Sequence, residues 1–326
     1  MKSLAAIPLS ILTTAFCWGV YAVVMKNGQQ AMGNSKLLPF IWVGLAYFVL
    51  AVILPSIWLQ WYGEKGSWTA SGILWSLIAG AAGALGALGI IMALTFGGNP
   101  IYVAPLVFGG APVVNTAVTM YMNKSLKQAS PMFLAGLILV IAGASIVLIF
   151  RPAGHGGATE TRMEEFSEWV KVVGSIALTI FSWGIYGPVL HKGQMAMQGS
   201  RLRPLVCVGV SYFVIAVLIP LILRAIIDEG GSYTNAGAAW SFLGGAAGAI
   251  GAIGIIMAFN FGGKPIYVMP LVFGLAPIIN TFTSMIVEKP VDPIRPTFIA
   301  GLIITVIGAV TVLVFAPKGH PPAVAK

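Results

Sequence analysis

Apolar runs of about twenty residues alternate with short polar or glycine-bearing breaks along the whole chain. An α-helix needs a run of that length to cross about 30 Å of hydrocarbon. The first five runs are Leu4 to Met25, Leu37 to Trp61, Gly72 to Phe96, Ile101 to Met122 and Met132 to Phe150. Five more follow at Val170 to Leu190, Leu205 to Ile227, Ala236 to Phe261, Ile266 to Val287 and Thr297 to Phe315. The pattern predicts an all-α integral membrane protein with ten transmembrane helices. The opening Met1-Lys2 and its apolar run resemble a cleavable signal peptide, but the run has a close counterpart at Val170 to Leu190, in mid-chain, so the first span is expected to be retained.

The counterpart belongs to a duplication. Trp18-Gly19-Val20-Tyr21 returns as Trp183-Gly184-Ile185-Tyr186, and Pro100-Ile101-Tyr102-Val103 returns as Pro265-Ile266-Tyr267-Val268, each 165 positions later. By eye, about half of the positions from Ser10 to Pro152 match their partners, the mark of an internal repeat. The expected organisation is a first five-helix repeat at 1–152, a polar linker at 153–168, a second five-helix repeat at 169–317 and a tail at 318–326. A unit of five spans ends on the side opposite to where it began, so its duplicate is inserted upside down. The two halves are then inverted repeats, an arrangement many secondary transporters use.

Composition agrees with a bilayer as the solvent: 58% of residues are hydrophobic and 8% charged, which excludes a water-soluble globule. The net charge of +9 fits cationic loops held at an anionic membrane face and gives no reason to expect nucleic acid as a partner. With the N-terminus inside, the inner loops and ends outnumber the outer ones in Lys and Arg by ten to eight. Lys124 and Lys127 stand without acids, whereas the equivalent outer loop mixes Glu288, Lys289, Asp292 and Arg295. The expected placement is the plasma (inner) membrane, multi-pass, with both ends in the cytoplasm. Cys17 and Cys207 sit inside apolar runs and suggest neither disulfides nor a metal cage.

Chemistry for catalysis is sparse. All nine carboxylates fall in expected loops or at helix ends, and no metalloprotease, thiol-redox, nucleophile-elbow or phosphate-loop motif is present. The chain is therefore read as no enzyme, with no cofactor and no metal. No Asp or Glu falls at mid-bilayer, where proton-driven carriers commonly place one. Uniport, exchange, or coupling through another group such as His191 or a backbone-bound cation is therefore favoured over carboxylate-driven antiport.

Polar and aromatic side chains remain as ligands. Thr14, Trp18, Tyr21 and Met25 share one face of the first helix, as Thr179, Trp183, Tyr186 and Leu190 share one face of the sixth. Packing alone explains such stripes, but repetition about an axis points to a site at the seam. In the fourth and ninth spans Pro105, Gly109, Pro112 and Thr116 recur as Pro270, Gly274, Pro277 and Thr281, with Tyr102 and Asn115 matched by Tyr267 and Asn280. Proline frees a carbonyl one turn back, so these helices are expected to kink. Gly80, Gly83, Gly86 and Gly89, mirrored at Gly245, Gly248, Gly251 and Gly254, suit close helix packing. Lys26 and His191 are read as ending the first and sixth helices, where cations complement the macrodipole, and Lys264 as an interfacial cation. All three are candidates for charge or coupling roles.

The 5+5 duplication, the Trp18-Gly19-Val20-Tyr21 run with Lys26, and the stretch from Pro277 through Glu288 to Ala300-Gly301-Leu302-Ile303 and Gly308 resemble EamA-type members of the drug/metabolite transporter superfamily. The resemblance covers nearly the whole chain. It implies a basket of ten helices, a central cavity and gating by the 3-4 and 8-9 hairpins. It places substrate binding on Trp18, Tyr21, Tyr102, Asn115, Trp183, Tyr186, Tyr267 and Asn280. Two departures stand out: Asn123 occupies the family's acidic position after the fourth span, and the second span lacks the family's common arginine. The expected function is secondary transport of a small polar or amphipathic metabolite by alternating access, with a lipid flippase or a non-transporting membrane scaffold as alternatives. The expected partners are a small-molecule solute and membrane lipids, and a homodimer is open as an assembly.

Overall fold

The computed structural model describes residues 2–122, 124, 129–150, 162–261, 265–288 and 294–315. Among them the structure is helical throughout, with no strand. Counting an interrupted helix once, the elements are α1 (Lys2–Ala31), α2 (Leu37–Trp61), α3 (Ala70–Thr95), α4 (Pro100–Met122), α5 (Pro131–Ile149), α6 (Arg162–Ala196), α7 (Leu202–Ile226), α8 (Asn235–Asn260), α9 (Pro265–Glu288) and α10 (Pro296–Val314). Seven described helices are long and apolar enough to cross a membrane, and the described apolar parts of α5, α9 and α10 are shorter. The molecule is a multi-pass α-helical membrane protein.

Local chemistry sets the element boundaries. Thr69 caps α3 by accepting from Gly72 N at 3.0 Å, and Ser130 caps α5 by accepting from Phe133 N at 3.1 Å. α2 and α7 each contain a π-helical segment, Phe48–Ile53 and Val214–Leu218. Pro55 and Pro220 lack the N–H that would bond to the carbonyls of Ala51 and Ala216, which lie in those segments. The helix relieves the mismatch by one wider turn and then continues. Hydropathy alone does not register this device. The prolines of α4 leave that helix unbroken from Pro100 to Met122, with Pro105 and Pro112 inside it.

Three boundaries differ from the expectation. α1 runs on to Ala31 and α6 to Ala196, so Lys26 and His191 lie inside their helices and do not end them. The polar residues after them look like loop, yet Gln29 is 2% exposed because other helices cover it. α6 also begins at Arg162, within the stretch assigned to the linker.

Packing exchanges partners between the halves. α1 packs on α8 and α9, and α6 packs on α3 and α4; α2 meets α8 and α3 meets α7; α5 crosses α10. Polar bonds repeat the exchange. Thr14 donates to Gly251 O at 3.0 Å and Thr179 to Gly86 O at 3.1 Å; Thr69 donates to Ala196 O at 3.0 Å and Thr234 to Ala31 O at 2.8 Å. The Thr69 and Thr234 bonds join the start of one helix to the end of another, and the other two pair helix interiors, so α1 runs antiparallel to α8, and α3 to α6. Two carboxylates do the same for α2 and α7. Glu64, just past the end of α2, accepts from Ser200 Oγ at 2.6 Å and from Arg201 N and Leu202 N at the start of α7. Glu229, just past the end of α7, accepts from Ser35 Oγ, and from Lys36 N and Leu37 N at the start of α2. Equivalent helices α2 and α7 thus lie side by side in opposite directions.

Candidate functional site

The site begins with the glycines of α3 and α8. A Cβ on Gly86 would stand 2.1 Å from Cδ1 of Trp183, and one on Gly251 would stand 2.2 Å from Nε1 of Trp18. Only a bare backbone lets the indoles lie across these helices, where Trp183 Nε1 donates to Gly83 O at 3.1 Å and Trp18 Nε1 to Gly248 O at 3.3 Å. Gly83 and Gly248 in turn leave room for Tyr212 and Tyr47. The glycine spacing therefore serves close packing, as the sequence suggested, and that packing fixes the aromatic groups.

The pinned rings form one assembly. Tyr47 and Tyr212 are stacked, with centroids 3.7 Å apart and planes 3° from parallel. Tyr21 meets Trp183 edge-on at 6.1 Å, and Phe108 bridges Trp18 at 6.4 Å and Trp183 at 6.1 Å. Beside them lies a cavity of about 710 Å³, within the size range of small-molecule sites. Its walls include Trp18, Tyr21, Tyr47, Asn115, Thr119, Trp183, Tyr186, Tyr212 and Phe273. The Tyr21 hydroxyl is buried and has no hydrogen-bond partner in the protein. At the mouth stand His191, Lys192, Gln194 and Met195 of α6, with Met122 of α4. Lys192 Nζ lies 3.8 Å from the ring centroid of Trp75. Among the described residues the lining carries no carboxylate, and no cluster of metal-ligating side chains occurs.

Of the residues singled out from sequence, Trp18, Tyr21, Asn115, Trp183 and Tyr186 come together around the cavity. Tyr102 is buried at 6% exposure in the apolar core and does not line it. Asn280 is fully buried elsewhere, donating to Pro100 O at 2.7 Å. The side chain of Tyr267 and the whole of Lys264 lie outside the described residues. Of the charged candidates, His191 lies at the cavity mouth and Lys26 does not reach the lining. Sequence reading missed Tyr47, Tyr212, Phe108, Phe273 and the two glutamines Gln29 and Gln194. A signal was available: all are identical pairs at the 165-residue shift and lie within or at the end of apolar runs.

The clamp carboxylates sit away from the cavity, near the helix ends. Burial opposes charge on Glu64, but the hydrogen bonds from Ser200, from the Leu202 and Arg201 backbone and from the Arg201 side chain hold its carboxyl below the usual range. Its side chain is 5% exposed, with Arg201 Nε at 2.9 Å.

No protein-family model matches the chain, and no curated protein matches it. A solved structure described as "Crystal structure of protein" superposes with a TM-score of 0.57 at 15% identity, over 96% of this chain and 99% of that one. At that identity the likeness speaks for the fold alone, and it does so over nearly the full length of both chains.

Proposed function

We propose that the protein is a secondary transporter of the EamA type within the drug/metabolite transporter superfamily. In this reading ten helices, arranged as two inverted five-helix repeats, cross the plasma membrane with both chain ends in the cytoplasm. The antiparallel pairing of α2 with its equivalent α7, and the exchange of partners between the halves, support the inversion. The carrying observation is the cavity itself. It lies where the halves meet, is walled by paired aromatic residues from both, and opens beside the ends of α4 and α6 while the opposite end is closed by packed side chains. A seam cavity open at one end is what alternating access requires of a resting carrier.

The lining suggests the cargo. Stacked aromatic rings, an amide, hydroxyls and a buried unpartnered tyrosine OH suit a small neutral or zwitterionic metabolite with an apolar face and hydrogen-bonding groups. Without a carboxylate in the lining, uniport or exchange is favoured over carboxylate-coupled antiport. The test is uptake into liposomes holding the purified protein, screened against neutral and zwitterionic metabolites. Saturable uptake is expected, falling at least about tenfold in Trp183→Ala and in Asn115→Ala, the loss of roughly 1.4 kcal/mol or more of solute binding. If both variants fold and transport at the parental rate, the site is wrong. If no solute moves, a membrane scaffold becomes the better reading.

A further inference from the structure

The two halves carry the same two amides in opposite situations. Gln29, near the end of α1, is 2% exposed; its Nε2 donates to Ile91 O at 2.8 Å and to Thr95 Oγ1, both on α3. Asn280 of α9 is 0% exposed and donates to the carbonyl of Pro100, the first residue of α4. Ile91, Thr95 and Pro100 flank the tight Gly97-Gly98-Asn99 turn, so the two amides fasten the tip of the α3–α4 hairpin to α1 and α9 at the closed end. Their counterparts at the 165-residue shift are Gln194 of α6 and Asn115 of α4, and both line the open cavity. The matching acceptors would be the carbonyls of Ile256 of α8 and Pro265, the first residue of α9. Ile256 is itself at the cavity wall.

We infer that the four amides form two alternating latches: Gln29 with Asn280 seals one end, and Gln194 with Asn115 seals the other by bonding to Ile256 O and Pro265 O when the first pair lets go. The made latch has a built-in reason to release. Gln29 Oε1 and Asn280 Oδ1 are buried and without a hydrogen-bond partner, so each closed amide donates through its nitrogen while leaving its own oxygen unsatisfied. The open pair, Gln194 and Asn115, lines the cavity, where water or a solute can reach the amides. The latch rests on the carrier reading above, and it adds that Asn115 both meets solute and closes the end through which solute enters.

Single-cysteine reporters in a Cys17→Ser, Cys207→Ser background test it on the full chain in detergent, with a charged methanethiosulfonate as probe. Thr119→Cys reports the open end, and Ser284→Cys, at a fully buried position one turn beyond Asn280, reports the closed one. Adding Gln29→Ala with Asn280→Ala is expected to raise Ser284→Cys labelling about tenfold and to slow Thr119→Cys labelling. Adding Asn115→Ala with Gln194→Ala, which leaves the bonds seen here intact, is expected to lower Ser284→Cys labelling below the background several-fold. Gel filtration checks that each variant is folded, and the second pair carries the test if the first pair does not fold. Labelling rates indifferent to the amide pairs overturn the latch. A labelling shift in a protein that moves no solute would retain the latch and remove the carrier reading; uptake with indifferent labelling would do the reverse.

Discussion

At the scale of single residues, the glycines of α3 and α8 decide where the aromatic rings stand. Glycine substitution predicts effects of opposite sign at helical positions that look alike in sequence. An Ala Cβ at position 86 or 251 would overlap an indole at about half the normal contact distance, and that indole is held by a hydrogen bond to the same helix. Gly86→Ala and Gly251→Ala are each expected to cost about 1–3 kcal/mol, read as a lower thermal midpoint together with a shifted tryptophan emission. A Cβ on Gly174 of α6 would meet nothing within 4 Å. Gly174→Ala should therefore leave emission unchanged and hold or raise the midpoint, since Ala gains roughly 0.5–1 kcal/mol over Gly in a helix. Spacing showed that glycines recur; it did not show which of them face an indole, because a single sequence gives a helix its period without naming its neighbour. Tyr47 and Tyr212 escaped notice for the same reason, as their stacking exists only when α2 and α7 lie side by side.

At the scale of elements, the clamps built on Glu64 and Glu229 join the end of one helix to the start of its equivalent. A carboxylate there satisfies free backbone N–H groups and complements the helix dipole at once. For Glu64 the linkage has a definite sign. Its folded value lies below the unfolded one, so the stabilisation is fully present above the ordinary carboxylate range and is lost as pH falls through the depressed value. Thermal midpoints should hold level near neutrality and fall on acidification. Glu64→Gln, unable to carry the charge, is expected to lose about 2 kcal/mol at neutral pH and to show a flatter acid limb; an acid limb identical to the parent's would remove Glu64 from this role. The placement of these acids in short loops was legible from hydropathy. Their partners were not, since Ser200 and Arg201 lie more than 130 positions away from Glu64. The same limit explains α1 and α6: the polar ends containing Gln29 and Gln194 read as loop, although packing makes them helix.

At the scale of the whole molecule, the duplication was the most legible feature, and the five spans expected in each half turn it into a statement about sidedness. If the halves were inserted in the same sense, the equivalent loops after α2 and α7 would face the same compartment. If they are inverted, those loops face opposite ones, and the reciprocal clamps of Glu64 and Glu229 lie on opposite membrane surfaces. Lys65 and Asp228, one in each loop, are both exposed, so a cysteine at either should meet a water-soluble reagent. In sealed vesicles of known orientation, an impermeant maleimide is expected to modify Lys65→Cys only from the cytoplasmic face and Asp228→Cys only from the other. Modification of both from one face would leave no room for inverted halves. Exchange of the two faces would keep the inversion and turn the N-inside reading over. The cavity mouth beside His191 and Lys192 lies at the end of the bundle where Glu64 clamps α7, since Thr69 binds Ala196 O there. The face that labels Lys65→Cys is therefore also the face to which this conformation opens its site.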